Sequence, residues 1–290
     1  MSRIAYVNGR YLPQRHAVVN IEDRGYQFAD GIYEVVHLHA GRCIDAERHL
    51  DRLDRSLREL RLAPPMGRAA LLCVLGEVAR RNRVREGLLY MQVTRGVARR
   101  DHAFPPAGTP PALVVTIRRI PPYPTDPAGW TGAAITQPDQ RWARCDIKTV
   151  ALTPNVLARQ AAREAGATEA ILYDADGMVT EGAATSFWIV DAAGALRTRP
   201  LDHAILPGCT RGALLALLAE AGIALDERPF SLEELRAARE AFLTSATSFV
   251  KPMVRIDGAP VGDGTVGPVT RRLFDLFARH VKGDGRNAAG

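Results

Sequence analysis

Three side chains in this sequence carry a primary amine: Lys148, Lys251 and Lys282, among 38 lysines and arginines. An arginine holds charge anywhere on a surface. It does not condense with an aldehyde, because that needs an amine able to lose its proton. Lys148 ends the mid-chain stretch Arg144-Cys145-Asp146-Ile147-Lys148, between a cluster of arginines and a helix start. Lys251 precedes a proline, and Lys282 lies in a Gly-rich tail. Imine chemistry therefore points to Lys148. Arginine-biased codon usage would leave a stray lysine equally well, so rarity alone does not separate the two readings.

Other residues could surround such an amine. Gly208-Cys209-Thr210-Arg211 precedes an apolar helical stretch, with Pro207 upstream and Thr210 as the expected N-cap. Backbone N–H groups at such a start, with the positive end of the helix dipole behind them, suit a phosphate. A plain cap is the commoner use of the same pattern. Thr244-Ser245-Ala246-Thr247-Ser248 is a second hydroxyl-rich loop at a strand end, and two such loops suffice to surround one phosphate. Glu181-Gly182 follows Val179-Thr180 and precedes the small residues Ala183-Ala184. A carboxylate among small residues lets a flat ligand lie close, and could hold a proton on a heterocyclic nitrogen to strengthen an electron sink. A turn glutamate in a hairpin fits equally. Arg52 falls on a polar stripe with Arg48, Arg55 and Glu59 and reads as solvated helix surface. His37 and His39 alternate along a strand, but nothing nearby completes a ligand set, so no metal is expected. Arg99, Arg100 and His102 crowd a long loop beside Phe104-Pro105, and loops of that length are often functional.

The elements that must position these groups follow from periodicity. Asn8-Gly9 between short apolar runs signals a hairpin, since both residues tolerate positive φ. A turn at Asp23-Arg24-Gly25 leads to a strand over 31–40. Asp45 is placed to cap a helix whose Leu50, Leu53, Leu57 and Leu60 make one apolar face. A second helix is predicted over 69–83, then strands over 88–94 and 112–120 flanking the loop 95–111. Four prolines within 121–127 mark a linker. Beyond it, strands are predicted over 132–136, 144–148, 170–173, 178–180, 186–190, 242–244 and 251–256. Helices are predicted over 153–165, 210–221 and 266–281, with a frayed tail over 283–290. Hairpins and a meander replace strict strand–helix alternation, so the reading is α+β with two domains, 1–120 and 128–290, joined by 121–127.

Composition narrows the class. Apolar content of 47% and charged content of 24% describe an ordinary globular chain. No apolar run approaches a membrane span, and Met1-Ser2-Arg3-Ile4 lacks a signal-peptide core. Four scattered cysteines fit a reducing compartment, so a cytoplasmic location is expected. A net charge of +6 invites a nucleic-acid partner, yet the arginines are interleaved with acids and no recognition motif appears. Anionic small molecules suit the balance at least as well, and neither nucleic acid nor membrane is expected as partner.

Several segments, taken in order, resemble the D-amino-acid aminotransferases among fold-type IV pyridoxal-phosphate enzymes. They are Glu22-Asp23-Arg24-Gly25-Tyr26-Gln27-Phe28, Asp30-Gly31-Ile32-Tyr33-Glu34-Val35-Val36 and His49-Leu50-Asp51-Arg52-Leu53. They continue as Gln92-Val93-Thr94-Arg95-Gly96, Arg141 to Lys148, and Val179-Thr180-Glu181-Gly182. The resemblance implies a smaller N-terminal α/β domain and a larger C-terminal, mixed β-barrel-like domain. It implies pyridoxal 5'-phosphate as cofactor, with Lys148 as its covalent anchor and proton shuttle and Glu181 on the pyridine nitrogen. Arg52, the backbone at Cys209 and Thr210, and the loop at Ser245 and Ala246 would hold the phosphate. Tyr33, Arg100 and His102 would bind the substrate α-carboxylate, the last two from a partner subunit, which makes a homodimer. The implied reaction exchanges an amino group between a D-amino acid, D-alanine expected, and a 2-oxo acid such as 2-oxoglutarate or pyruvate. Branched-chain L-aminotransferase, aminodeoxychorismate lyase and (R)-amine transaminase share the fold, and a non-catalytic nucleic-acid-binding protein is the rival of another class. Ala183-Ala184 and Ala246 depart from the family, which often has hydroxyl residues there; both departures bear on cofactor affinity and side-chain preference.

Overall fold

The computed structural model describes residues 3–283, so the tail expected to fray lies, beyond Gly283, outside the described residues. The chain divides into two compact units: Met1–Pro122 with Ile147–Ala151, and Tyr123–Asp146 with Leu152–Gly290. Among the described residues no helix is long and apolar enough to cross a membrane.

The first unit contains β1 (Ile4–Val7), β2 (Arg10–Pro13), α1 (Arg24–Phe28), β3 (Gly31–His39) and β4 (Arg42–Cys43). It continues with α2 (Ala46–Glu59), α3 (Arg68–Asn82), β5 (Gly87–Thr94) and β6 (Ala112–Arg119). Asn8 and Gly9 both take positive φ and turn the first hairpin, as their types predict. The six strands form one antiparallel sheet in the order β2-β1-β6-β5-β3-β4. Ile32, Val36 and Leu38 of β3 join Leu50, Leu53 and Leu57 of α2 and Leu71, Leu75 and Val78 of α3 in its core. Asp45 precedes α2 as expected, but it takes a left-handed conformation and its side chain does not cap the helix.

Two segments differ from the sequence expectation. Residues 24–28 form a short helix rather than a turn. The Asp23 carboxylate accepts the Gly25 N–H, and Ala29 takes a left-handed conformation that returns its N–H to the Arg24 and Gly25 carbonyls. Residues 144–148, expected as a strand, are irregular. Arg144 closes onto Asp146 two residues on, and the Cys145 thiol donates to the Trp142 carbonyl; local side-chain bonds of this kind displace a ladder. The chain then enters the first unit. Strand β4 pairs only with Leu38 and His39, and the other end of the same β3 edge is taken by 148–150. There Tyr33 N–H donates to Lys148 O and Val150 N–H to Gly31 O, each at 3.0 Å, while Ile147 enters the core.

The second unit contains β7 (Gly132–Pro138), α4 (Thr153–Glu164), β8 (Glu169–Tyr173), β9 (Val179–Gly182), β10 (Ser186–Val190) and β11 (Leu196–Thr198). There follow α5 (Cys209–Glu220), β12 (Asp226–Glu227), α6 (Leu232–Arg236), β13 (Glu240–Ser245), β14 (Phe249–Ile256), β15 (Ala259–Pro260) and α7 (Pro268–Lys282). Its sheet is mixed, ordered β12-β11-β10-β13-β14-β7-β8-β9, with β15 on β14. Residues 183–185 alone connect β9, at one end of the order, to β10. Five strand spacings on a flat sheet would need about 24 Å, more than so short a link spans. The sheet therefore curls, which brings the Gly182 N–H onto Thr185 O at 2.8 Å. This is the mixed, barrel-like sheet that the sequence implied, and the α+β class holds. Glu181 lies within β9 rather than in a turn.

Candidate active site

In the first unit Lys148 is fixed by its backbone and directed by its neighbours. Its carbonyl is bound to β3, its N–H points to Ser56 Oγ at 3.5 Å, and its Nζ lies 4.2 Å from the Tyr33 ring centroid. Tyr33 itself stacks on Tyr90, with centroids 5.7 Å apart. Burial and the neighbouring Tyr33 push the Tyr90 hydroxyl up to about 12.

Arg52 is not the solvated helix residue that its charge suggested: it is 8% exposed. Its Nε and Nη2 donate to Glu34 Oε1 and Oε2 at 2.7 and 2.8 Å, and His49 Nδ1 approaches Glu34 Oε2 at 2.7 Å. Burial pushes the Glu34 carboxyl up, but the charge and hydrogen bonds of Arg52, with His49, overcome it and hold the group at about 2. An ionised carboxylate only accepts, so His49 Nδ1 carries the proton in this bond. His49, Arg52 and Ser56 recur at helical spacing beside the leucine face and are all buried. Glu34 shares the inward face of β3 with Ile32 and Val36. A charge alternating with core residues demands a partner, and that was the signal available in the sequence.

In the second unit Glu181 is fixed as tightly. Its Oε1 accepts from Arg141 Nη1 at 2.5 Å and from the Leu206 N–H at 3.1 Å. Arg141 in turn grips Asp139 through Nε and Nη2, and Nη2 also reaches the Ala204 carbonyl. Burial opposes the charge on Arg141, but Asp139 and Glu181 raise its pKa above the ordinary arginine value. Thr180 Oγ1 donates to Asp139 from the neighbouring position on β9. Arg141 stood in one of the matching segments without a role, and Asp139 stood in none.

Helix α5 begins one residue earlier than expected. Gly208 is the N-cap, no side chain caps the helix, and Cys209 and Thr210 are buried in its first turn. Their amides have no acceptor within the helix. A Cβ on Gly208 would lie 2.7 Å from Ser186 Oγ, so only glycine fits there unshifted. The Ser/Thr segment is a tight turn between β13 and β14, in which Ser245 Oγ bonds the hydroxyls of Thr247 and Ser248. Ala246 sits at the tip of this turn.

Arg100 and His102 belong to the first unit and are exposed. They gather on Phe28: the Arg100 guanidinium is 5.1 Å from its ring centroid and the His102 ring 5.4 Å. Tyr33 keeps other company, Tyr90 and Lys148. Of the two strand histidines, His39 pairs with Glu86 at 3.0 Å and His37 is buried.

The Escherichia coli branched-chain amino acid aminotransferase superposes with a TM-score of 0.89 at 23% identity, over 100% of this chain and 98% of that one. A hypothetical aminotransferase from Mycobacterium tuberculosis, in its PLP-bound form, gives 0.82 at 22%, over 97% and 99%. The fold is thus that of these aminotransferases. The amino-transferase class IV family matches residues 31–256, and this chain belongs to it. D-alanine aminotransferase of Listeria innocua is 37% identical over 276 residues, 95% of each chain. That of Bacillus licheniformis is 39% identical over 266 residues, 92% of this chain and 93% of its own.

The Glu34 pair carries a pH signature. Its folded pKa of about 2 lies below the ordinary 4.5, so its stabilisation is complete above that value and fades as pH falls toward 2. Glu34→Gln should cost about 3–5 kcal/mol near neutral pH, because it strips Arg52 of this buried counter-charge. The difference in Tm between variant and wild type should shrink on acidification below pH 4.5. A difference that stays constant from about pH 7 to about pH 3 would show that the ionised pair contributes nothing.

Proposed function

We propose that this protein is a pyridoxal-phosphate-dependent aminotransferase that moves an amino group between a D-amino acid, D-alanine foremost, and a 2-oxo acid such as 2-oxoglutarate or pyruvate. The observation that carries this reading is 37% and 39% identity to two D-alanine aminotransferases over more than nine-tenths of the chain. The family resemblance supports roles in it for Lys148, Glu181, Arg52, Arg100 and His102.

The donor set fits the cofactor. Glu181 is a carboxylate fixed from behind by Arg141 and the Leu206 amide, as a partner for a protonated ring nitrogen should be. Helix α5 opens on an uncapped turn at a glycine cradle, and the turn after β13 offers hydroxyls, both suited to phosphate oxygens. Arg52 would add a guanidinium already oriented by Glu34. Lys148 supplies the amine. When bound, pyridoxal phosphate supplies an aldehyde and a protonated ring able to accept the electron pair released when the substrate Cα–H bond breaks.

Within this reading Lys148 Nζ would hold the cofactor and, when free, would take the proton from the substrate Cα. Its backbone is pinned at the β3 edge, which fixes the point from which that amine reaches out. Glu181 would keep the ring proton in place, and Cys209, Thr210, Ser245 and Ala246 would hold the phosphate end through backbone and hydroxyl donors. Arg100 and His102 receive the substrate carboxylate together with Tyr33. Their exposure on the Phe28 face supports a homodimer in which they serve the active site of a second copy. A cytoplasmic location agrees with such an enzyme.

Absorption spectra of the cofactor-loaded protein titrated with D-alanine, and separately with L-leucine, test the reading. D-alanine alone should convert the cofactor from its aldehyde-derived to its amine form. Conversion by L-leucine alone would move the assignment to the branched-chain relatives. Lys148→Ala should lower the rate with D-alanine by roughly 100-fold or more, the scale of lost proton-transfer catalysis.

A further inference from the structure

We propose that Arg24, locked by Asp30, is a positioning residue that sets where the 95–111 loop presents Arg100 and His102, and so sets the affinity for the substrate carboxylate. This rests on the proposed role of Arg100 and His102 and adds what holds them.

The loop has no strand or helix of its own, so its shape comes from turns and side-chain contacts. Beyond the bridge of Val97 to Asp23 and the bond from Ala98 N–H to Glu22 O, three contacts hold it. The Gly96 carbonyl accepts the Arg24 N–H at 2.9 Å, and Arg24 Nη1 donates to the Asp101 carbonyl at 2.6 Å. Farther along, the Phe104 ring lies on the Arg95 and Arg61 guanidiniums, 3.8 and 4.8 Å from their carbons. The middle anchor is the informative one, because Asp101 is the residue between Arg100 and His102. Arg24 also lies 4.9 Å from the centroid of Phe28, the ring on which Arg100 and His102 rest.

One carboxylate governs this arrangement. Asp30 accepts from Arg24 Nε at 2.8 Å and from Arg95 Nε and Nη2 at 2.7 and 3.0 Å. Arg95 extends the tie to the Leu60 and Arg61 carbonyls after α2. Arg24 is 3% exposed, deep enough that its charge requires Asp30. Burial raises the Asp30 carboxyl, but the two arginines bring it below its ordinary value. Apolar residues would fill such a space without charge. A forked cation adds simultaneous grip on a fixed carboxylate and on a loop carbonyl.

The test is steady-state kinetics of the cofactor-loaded enzyme with D-alanine for Arg24→Lys, Arg100→Ala and the double variant, with melting curves for each. Lysine keeps the charge but donates from one atom, so it does not reproduce the fork. Arg24→Lys should raise KM about tenfold, with kcat within about twofold. Arg100→Ala should also raise KM, and adding Arg24→Lys to it should raise KM by clearly less than Arg24→Lys does alone, since part of its effect runs through Arg100. Asp30→Asn, which loosens Arg24 from the opposite side, should shift KM in the same direction and carries the test if Arg24→Lys does not fold. Wild-type KM in Arg24→Lys beside a raised KM in Arg100→Ala overturns the proposal and leaves the carboxylate role intact. Multiplying effects in the double variant overturn it as well. A wild-type KM in Arg100→Ala brings down the carboxylate role itself, and the proposal with it.

Discussion

An ion removed from water has to be paired where it is buried, and Arg52 and Glu181 of the candidate site are held through that requirement. Three arginines whose side chains are at most 8% exposed, Arg24, Arg52 and Arg141, each face a carboxylate through directional donors. An unpaired charge at such depth costs several kcal/mol, so each pair has effectively one arrangement. Each carboxylate is shared in turn: Glu34 with His49, Asp30 with Arg95, and Arg141 between Asp139 and Glu181. Fixing one member fixes the others. Exposed pairs such as Arg80 with Glu77 contribute little by comparison.

The arginine bias of the chain acquires a structural meaning from this. A planar fork can hold a carboxylate with two donors and a carbonyl with a third, as Arg95 and Arg141 do. A lysine in those places would supply charge without direction. At Lys148, the amine proposed for the reaction, the fixing falls instead to the backbone. The carbonyl of Lys148 is tied to β3, and the adjoining Ile147 is anchored in the core. The side chain then extends over Tyr33 from a backbone held at the sheet edge.

Much of the fold was legible because it rests on local pattern. The Asn8-Gly9 hairpin, the leucine face of α2 and the Pro154-led α4 are written in residue type and spacing. What was not legible depends on long-range pairing. Arg52 looked like surface because its neighbours Arg48 and Arg55 are charged, while its partner Glu34 lies 18 residues away on a strand. Arg144–Lys148 looked like a strand because Ile147 and Cys145 are apolar, but the pairing of Arg144 with Asp146 bends it. Thr210 looked like a cap because its hydroxyl suits one, yet Gly208 takes the place and starts α5 earlier. The roles expected of the site residues rested on several segments resembling one family in order; none of the residues singly separated catalyst from ordinary surface or turn.

The same pairing fixes how the framework responds to pH. Asp30, Glu34 and Asp139 are all depressed below their ordinary values, burial raising each and arginine more than offsetting it. Groups shifted in that direction are ionised both folded and unfolded near neutral pH, so they neither gain nor lose protons there. These three carboxylates therefore stay ionised across the range in which an amine or imidazole would titrate. A pH dependence of turnover in that range does not originate in them, since they take up protons only in acid.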